Sequence, residues 1–243
     1  MRRRVLTLAV IAVLVLLASS YIFVYAIWWQ RIQRAKTLIE QLHRLEVGRT
    51  PEYQIRTLVA QYSGRHAAEL EENGVQLPVR YDLRYDVALY APYILIGGSA
   101  RTLPGLRQWG LVASLEVKNG YLSNLYLSQG VLRADGFELH STLRLNGEDS
   151  HAVPDGVPYY VYEAHITGPP GEAIGAELSA AASAEDRTKG FSFSFSCLTT
   201  LRGCRHVCDT FPSVWNDLTP RDRLTYGDGT PVNDYRECRK GVR

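Results

Sequence analysis

From Val5 to Trp29 the chain carries no charged residue, and 14 of these 25 positions are Leu, Ile, Val or Phe. As a helix the stretch would be about 37 Å long, enough to cross a hydrocarbon layer of about 30 Å. The pattern predicts a transmembrane helix over 5–29, preceded by a short tail, 1–4, that holds Arg2, Arg3 and Arg4. Tyr21, Tyr25, Trp28 and Trp29 gather at its far end, and the indoles of Trp28 and Trp29 suit a membrane–water interface. A cleaved signal peptide ending near Ala18-Ser19-Ser20 is the competing reading. Nine more apolar or aromatic residues follow that point at once, which favours an uncleaved signal-anchor.

Beyond the span the period stays helical. Ile32, Ala35, Leu38, Ile39, Leu42 and Leu45 recur at steps of three and four, an amphipathic helix from about Gln30 to Glu46 that Gly48 stops. Its stripe reads as core packing against a sheet, with a stalk or self-association surface as the alternative. Thr50-Pro51-Glu52 restarts a helix, with Thr50 as cap and Pro51 at the first helical position. Ile55, Leu58, Val59 and Tyr62 line that helix, and Gly64 ends it. Residues 30–64 therefore form a juxtamembrane helical segment.

After Pro78 the period falls to two. Tyr81, Leu83, Tyr85, Val87 and Leu89 alternate as a half-buried strand requires. Leu111–Lys118 and Leu122–Ser128 flank Asn119-Gly120, a strong hairpin signal. A two-residue loop sets Leu115 opposite Asn124, and a three-residue loop pairs Leu115 with Leu125 and Ala113 with Leu127; sequence leaves the register open. Further strands are expected at Phe137–Leu145, Tyr159–Ile166, Ile174–Ala180 and Phe191–Cys197. In the last, Phe191, Phe193 and Phe195 would point one way and the serines the other. Ser183 is expected to cap a short helical turn, and Gly168-Pro169-Pro170-Gly171 to form a rigid loop. The expected class is α+β: a transmembrane helix, two short helices, and a mainly antiparallel β-rich domain over 65–243 with a disulfide-tied C-terminal loop region.

Charge adds an exclusion. With Arg2, Arg3 and Arg4 set aside, 24 Lys and Arg face 25 Asp and Glu. Such a domain lacks the cationic excess that displaces counterions from nucleic acid. Cys197, Cys204, Cys208 and Cys238 are the only cysteines. In an exported chain they imply two disulfides; three pairings are possible, and Cys197–Cys204 with Cys208–Cys238 is the one favoured here. Export of the domain and a cytoplasmic N-terminus place the chain in the inner (cytoplasmic) membrane, with the C-terminal domain periplasmic. A zinc site using Cys204, His206 and Cys208 is the alternative, although a Cys-x-x-Cys knuckle is missing.

No nucleophile elbow, phosphate loop, dinucleotide fingerprint or zinc helix is present in the sequence. The run from Asp228 through Thr230 and Asp234 imitates a calcium loop, but Asn233 stands where glycine is needed and Arg239 where glutamate is. Glu148-Asp149 and Glu185-Asp186 read as solvated pairs, and His140, His151 and His165 as structural. No residue is assigned a catalytic, cofactor-binding or metal role.

Val47-Gly48-Arg49-Thr50-Pro51, then Ile55, Leu58 and Gly64, then a Val117–Leu127 hairpin about Asn119-Gly120, resembles one family's layout. That family is the small lipoprotein of the outer-membrane barrel-assembly machinery, in which two helices pack on a short antiparallel sheet. The chain departs from it in having no lipid-attachment cysteine, a full span as anchor, and no counterpart from Gly136 onward. The resemblance implies an exported interaction module. More broadly, the chain resembles a membrane-anchored bacterial envelope protein. The expected function is non-enzymatic binding of a protein or envelope component, with a tethered envelope hydrolase acting through carboxylates as the alternative.

Overall fold

The computed structural model describes residues 2–67, 71–72, 75–76, 79–87, 107–133, 136–147, 158–165 and 171–218. The calcium-like run from Asp228, Glu148-Asp149, His151, Gly168-Pro169-Pro170 and Cys238 lie outside them.

Helix α1 (Arg2–His43) runs unbroken for 42 residues. The expected division between a span and a separate amphipathic helix does not occur. The physical reason is simple: no Gly or Pro stands anywhere before Gly48, so nothing interrupts the hydrogen-bond ladder. Residues 3–23 are exposed, whereas Trp28, Ile32, Ala35, Leu38, Ile39 and Leu42 are buried. One helix thus has two solvents, the first half free of the domain and the second half in its core.

Among the described residues nine strands follow: β1 (Arg65–Ala67), β2 (Glu71–Glu72), β3 (Val75–Gln76), β4 (Val79–Val87), β5 (Gln108–Lys118), β6 (Tyr121–Leu132), β7 (Glu138–Asn146), β8 (Tyr159–His165) and β9 (Gly171–Ser179). Seven form one sheet in the order β1-β4-β5-β6-β7-β9-β8, while β2 and β3 pair separately. All neighbours in the large sheet are antiparallel except β7 and β9. The parallel pair arises because β9 enters between β7 and its own hairpin partner β8.

The β5–β6 hairpin resolves the register left open by sequence. Asn119 and Gly120 form a two-residue turn at φ +56° and +78°, where glycine and asparagine are tolerated. Lys118 pairs with Tyr121 and Val117 with Leu122, but Glu116 pairs with Asn124. The extra residue, Ser123, is a bulge that turns its hydroxyl onto the Glu116 carbonyl. From there Leu115 faces Leu125 and Ala113 faces Leu127, so both strands keep their leucines in the core.

Helix α2 (Glu52–Gln61) starts one residue later than expected, with Pro51 at its cap and no side-chain cap bond. Thr50 instead turns back, its hydroxyl accepting from the Glu46 amide at 2.7 Å. The hairpin supplies what the threonine does not: the Glu52 amide donates to the Gly120 carbonyl. Gly48 and Thr50 also bond Leu122, so the linker between helices is fastened to the hairpin. Gly147 sits against this junction with no room for a Cβ, which would meet the Ser123 carbonyl and Val47. Gly147→Ala is expected to cost about 1–3 kcal/mol, read by urea denaturation, because a backbone atom cannot swing aside.

The segment Phe191–Cys197 is not a strand, which corrects the expectation from its alternation. It is irregular to Phe195 and enters a 3-10 turn at Ser196–Thr199. It crosses the core face of the sheet, where there is no strand edge to pair with. Its rings take three separate partners: Phe191 meets His43, Phe193 stacks on Phe211, and Phe195 meets Trp109 edge-on. The serines satisfy local groups instead of a ladder, Ser192 donating to Lys189 and Ser194 sharing a bond with Ser196. Helix α3 (Ala184–Gly190) is capped as expected, with Ser183 accepting from the Asp186 amide. Helix α4 (Pro212–Asp217) closes the layer and sets Trp215 against Tyr162.

The whole C-terminal region, 183–218, and the second half of α1 therefore cover the same sheet face. Two buried polar contacts pin the cover down: Ser141 to Thr210 at 2.7 Å, and the Gln129 amide to the Ser194 carbonyl at 3.2 Å. Arg187 of α3 donates to the His43 and Leu45 carbonyls that α1 leaves open at its end. Beside it, burial and then the Arg187 charge hold the His43 imidazole below its ordinary value. The unfolded chain therefore takes up that proton first, and the His43 contribution to stability is full above about pH 6.5 and lost as pH falls below it. His43→Gln is expected to flatten the fall in denaturant stability between about pH 7.5 and 5.5.

Candidate functional site

Two surfaces remain once the core is assigned: the end of the domain from which α1 emerges, and the sheet face opposite α1, which is half-buried for the most part. Their geometry follows from the way α1 lies on the strands. Gly48 is bonded to Leu122, at the hairpin end of the sheet. Trp28 and Trp109 are both fully buried, and their indole N–H groups have no hydrogen-bond partner among the described residues. Tyr21 of α1 lies near enough to Arg107, just before β5, to act on its charge, so the free half of α1 leaves the domain at the end where β5 begins.

At that end Arg107, only 5% exposed, is wrapped by the loop that the Cys197–Cys204 disulfide closes. Its guanidinium donates to the carbonyls of Cys197, Leu198 and Leu201, each at 2.8 Å. Five fixed donors on a planar fork suit such a ring of carbonyls. Burial lowers the Arg107 pKa from its ordinary value, and Tyr21 on α1 acts electrostatically in the opposite sense. Arg133 adds a bond to the Arg205 carbonyl and lies over the Phe137 ring.

The second surface is the sheet face opposite α1. Register sets Asp82, Ser114, Tyr126, Arg144, Glu177 and Tyr159 in one row across six strands. Neighbours in that row are joined: Ser114 to Asp82 at 2.7 Å, and Arg144 to Glu177 at 3.0 Å with its guanidinium over Tyr126. One row nearer the α1 end stand Val112, Ser128, Thr142, Gly175 and Val161. A Cβ on Gly175 would meet Thr142 at 2.8 Å and Val161 at 3.0 Å, so the sheet is closely packed there. Arg84 of β4 stands in the same row, opposite Val112, and His140 in the next, so charged and titratable groups recur along the length of the face.

Several residues singled out from sequence have structural places. Trp28, expected at an interface, is 1% exposed and belongs to the domain core, while Trp29 is 42% exposed. Arg3 and Arg4 are exposed on the first turns of α1, which Arg2 begins. Cys197 is bonded to Cys204, and Cys208 is also in a disulfide. Sulfurs so engaged offer no thiolate, which removes the Cys204–His206–Cys208 zinc alternative. His206 instead meets Glu172 at 3.4 Å, and the same carboxylate accepts from the Val207 amide. His140 pairs with Glu138. Glu185 and Asp217 clasp Lys189 and hold its ammonium above the usual range, tying α3 to α4.

Sequence reasoning missed Arg107. The signal available was only an arginine two residues before a tryptophan at a strand start, and many such arginines are solvated. No family model, curated protein or solved structure matches the chain.

Proposed function

We propose that this chain is a single-pass envelope protein whose N-terminal helix spans the inner membrane and whose exported domain binds a protein or envelope component. The observation that carries the reading is α1 itself, one helix exposed and apolar over 5–23 and buried in the domain core from Trp28. Such a helix fixes the domain beside the bilayer with no flexible linker. The disulfides support export, since thiols in the cytoplasm are kept reduced. The sheet face opposite α1 then looks away from the helix, where a neighbouring envelope partner would meet it.

Two positions on this face test the assignment. Ser128→Arg with Thr142→Arg places two bulky charges on the half-exposed face and leaves the core untouched. Crosslinking in native membranes, quantified by mass spectrometry, is expected to lose the partner while the purified chain still unfolds cooperatively, although the two arginines face each other across β6 and β7 and cost about 1 kcal/mol. Unchanged crosslinks, or hydrolysis of envelope polymer by the purified full-length chain, would refute the binding reading. The second outcome would favour the hydrolase alternative.

A further inference from the structure

Leu201 is the most exposed large apolar residue in the described chain, at 80%. It stands at the tip of a loop that has every reason to bury its apolar groups: Cys197, Leu198 and Cys204 on either side are buried. The loop is not loose. The Cys197–Cys204 disulfide closes it, Arg107 grips the Leu201 carbonyl at 2.8 Å, and Gly203 adopts φ +75° against the Arg107 guanidinium. The fold thus spends a disulfide and a buried arginine to hold one leucine outward. Arg202 and Arg205 flank that leucine, both exposed, and neither side chain has an ion pair among the described residues.

The loop also lies at a particular height. The exposed stretch of α1, residues 3–23, is about 31 Å long, close to the thickness of a hydrocarbon layer. Exposure first falls at Val24 and Tyr25, and the rings of Tyr21, Tyr25 and Trp28 follow one another at 6.3 and 5.7 Å. The boundary of the bilayer and the underside of the domain therefore coincide near Tyr21–Tyr25. Arg107 lies within electrostatic reach of Tyr21 on α1, and so sits at that underside together with the loop it holds. Tyrosines at an interface, an outward leucine and flanking arginines are the chemistry of a headgroup-level contact.

We propose that the Cys197–Cys204 loop is a second membrane contact, with Leu201 set into the interface of the same bilayer that α1 crosses and Arg202 and Arg205 on anionic headgroups. The contact rests on the reading of α1 as a membrane span. It fixes the rotation of the domain about the helix axis, which a single span leaves free, and so fixes which way the sheet face opposite α1 looks. A domain held at two points presents that face in one direction along the membrane plane.

The test uses the full-length chain in vesicles of phosphatidylethanolamine with a minority of phosphatidylglycerol. A photo-activatable diazirine analogue of leucine is placed singly at Leu201, at Leu14 in the span, and at Tyr121 at the far end of the domain. Lipid adducts are then counted by mass spectrometry. Adducts are expected at 14 and 201 and not at 121. Arg202→Gln and Arg205→Gln are each expected to lower the adduct at 201 about fivefold, as about 1 kcal/mol per surface arginine implies. Adducts at 14 without adducts at 201 would overturn the loop contact and leave the span intact. No adduct at either position would overturn the span, and the loop contact with it. Equal adducts at 201 and 121 would show that the domain has no fixed seat on the bilayer.

Discussion

A chain that begins at Gly48 is expected not to fold, whereas one that begins at Ala26 is expected to fold and unfold cooperatively. Both lack a complete span, so the difference isolates the second half of α1. Starting at Gly48 strips Trp28, Ile32, Ala35, Leu38, Ile39 and Leu42 from the core, all of them at most 6% exposed. Five of these are large side chains worth roughly 1.5–3 kcal/mol each on burial. Together they approach or exceed the whole stability of an ordinary domain, about 5–15 kcal/mol. Far-UV circular dichroism with urea titration distinguishes the outcomes. Cooperative unfolding of the chain from Gly48 would mean that the helix merely rests on the sheet, and that the domain begins after the anchor as its sequence period suggested.

The second large effect is at Arg107. Arg107→Met is expected to lower stability by about 3–5 kcal/mol, since it leaves the Cys197, Leu198 and Leu201 carbonyls without their donor in a buried site. Arg107→Lys recovers only part of this, because one ammonium cannot reach three carbonyls arranged around a planar fork. Thermal unfolding of the three proteins reads the order directly. A lysine variant as stable as the wild type would show that the charge alone matters and that the carbonyl ring is incidental.

How much of this was written in the sequence depends on the distance over which each signal acts. The long apolar N-terminal helix, the hairpin turn, the Ser183 cap and the main strands depend on local periodicity and turn chemistry, and the structure has each of them. The bulge at Ser123 was hidden because it is decided across strands: only the need to bury Leu125 and Leu127 with Leu115 and Ala113 selects it. The alternation of Phe191, Phe193 and Phe195 misled for the opposite reason. Period two is necessary for a strand but does not supply a partner edge, and here each ring answers a different neighbour. Thr50 shows the same competition at one residue, with its hydroxyl drawn to Glu46 once the hairpin carbonyl of Gly120 had taken the helix amide.

For the candidate surfaces the balance differs. Sequence pointed to the cysteines and to the aromatic residues at the end of the span, and the structure joins the two through a residue that neither signal contains. Arg107 lies 90 residues from the Cys197 carbonyl it holds. No periodicity carries information over that separation; only the fold brings the start of β5 beneath the disulfide loop. The polar row from Asp82 to Tyr159 is equally non-local, being set by five strand registers at once.

The central claim is that one helix serves both the bilayer and the core of a domain outside the cytoplasm. The most direct measurement is the state of the four cysteines in native membranes, with thiols alkylated before lysis and peptides mapped without reduction. The account predicts a peptide pair joined through Cys197 and Cys204 and no alkylation at Cys208. Alkylated thiols at all four positions would place the domain in the cytoplasm and contradict it.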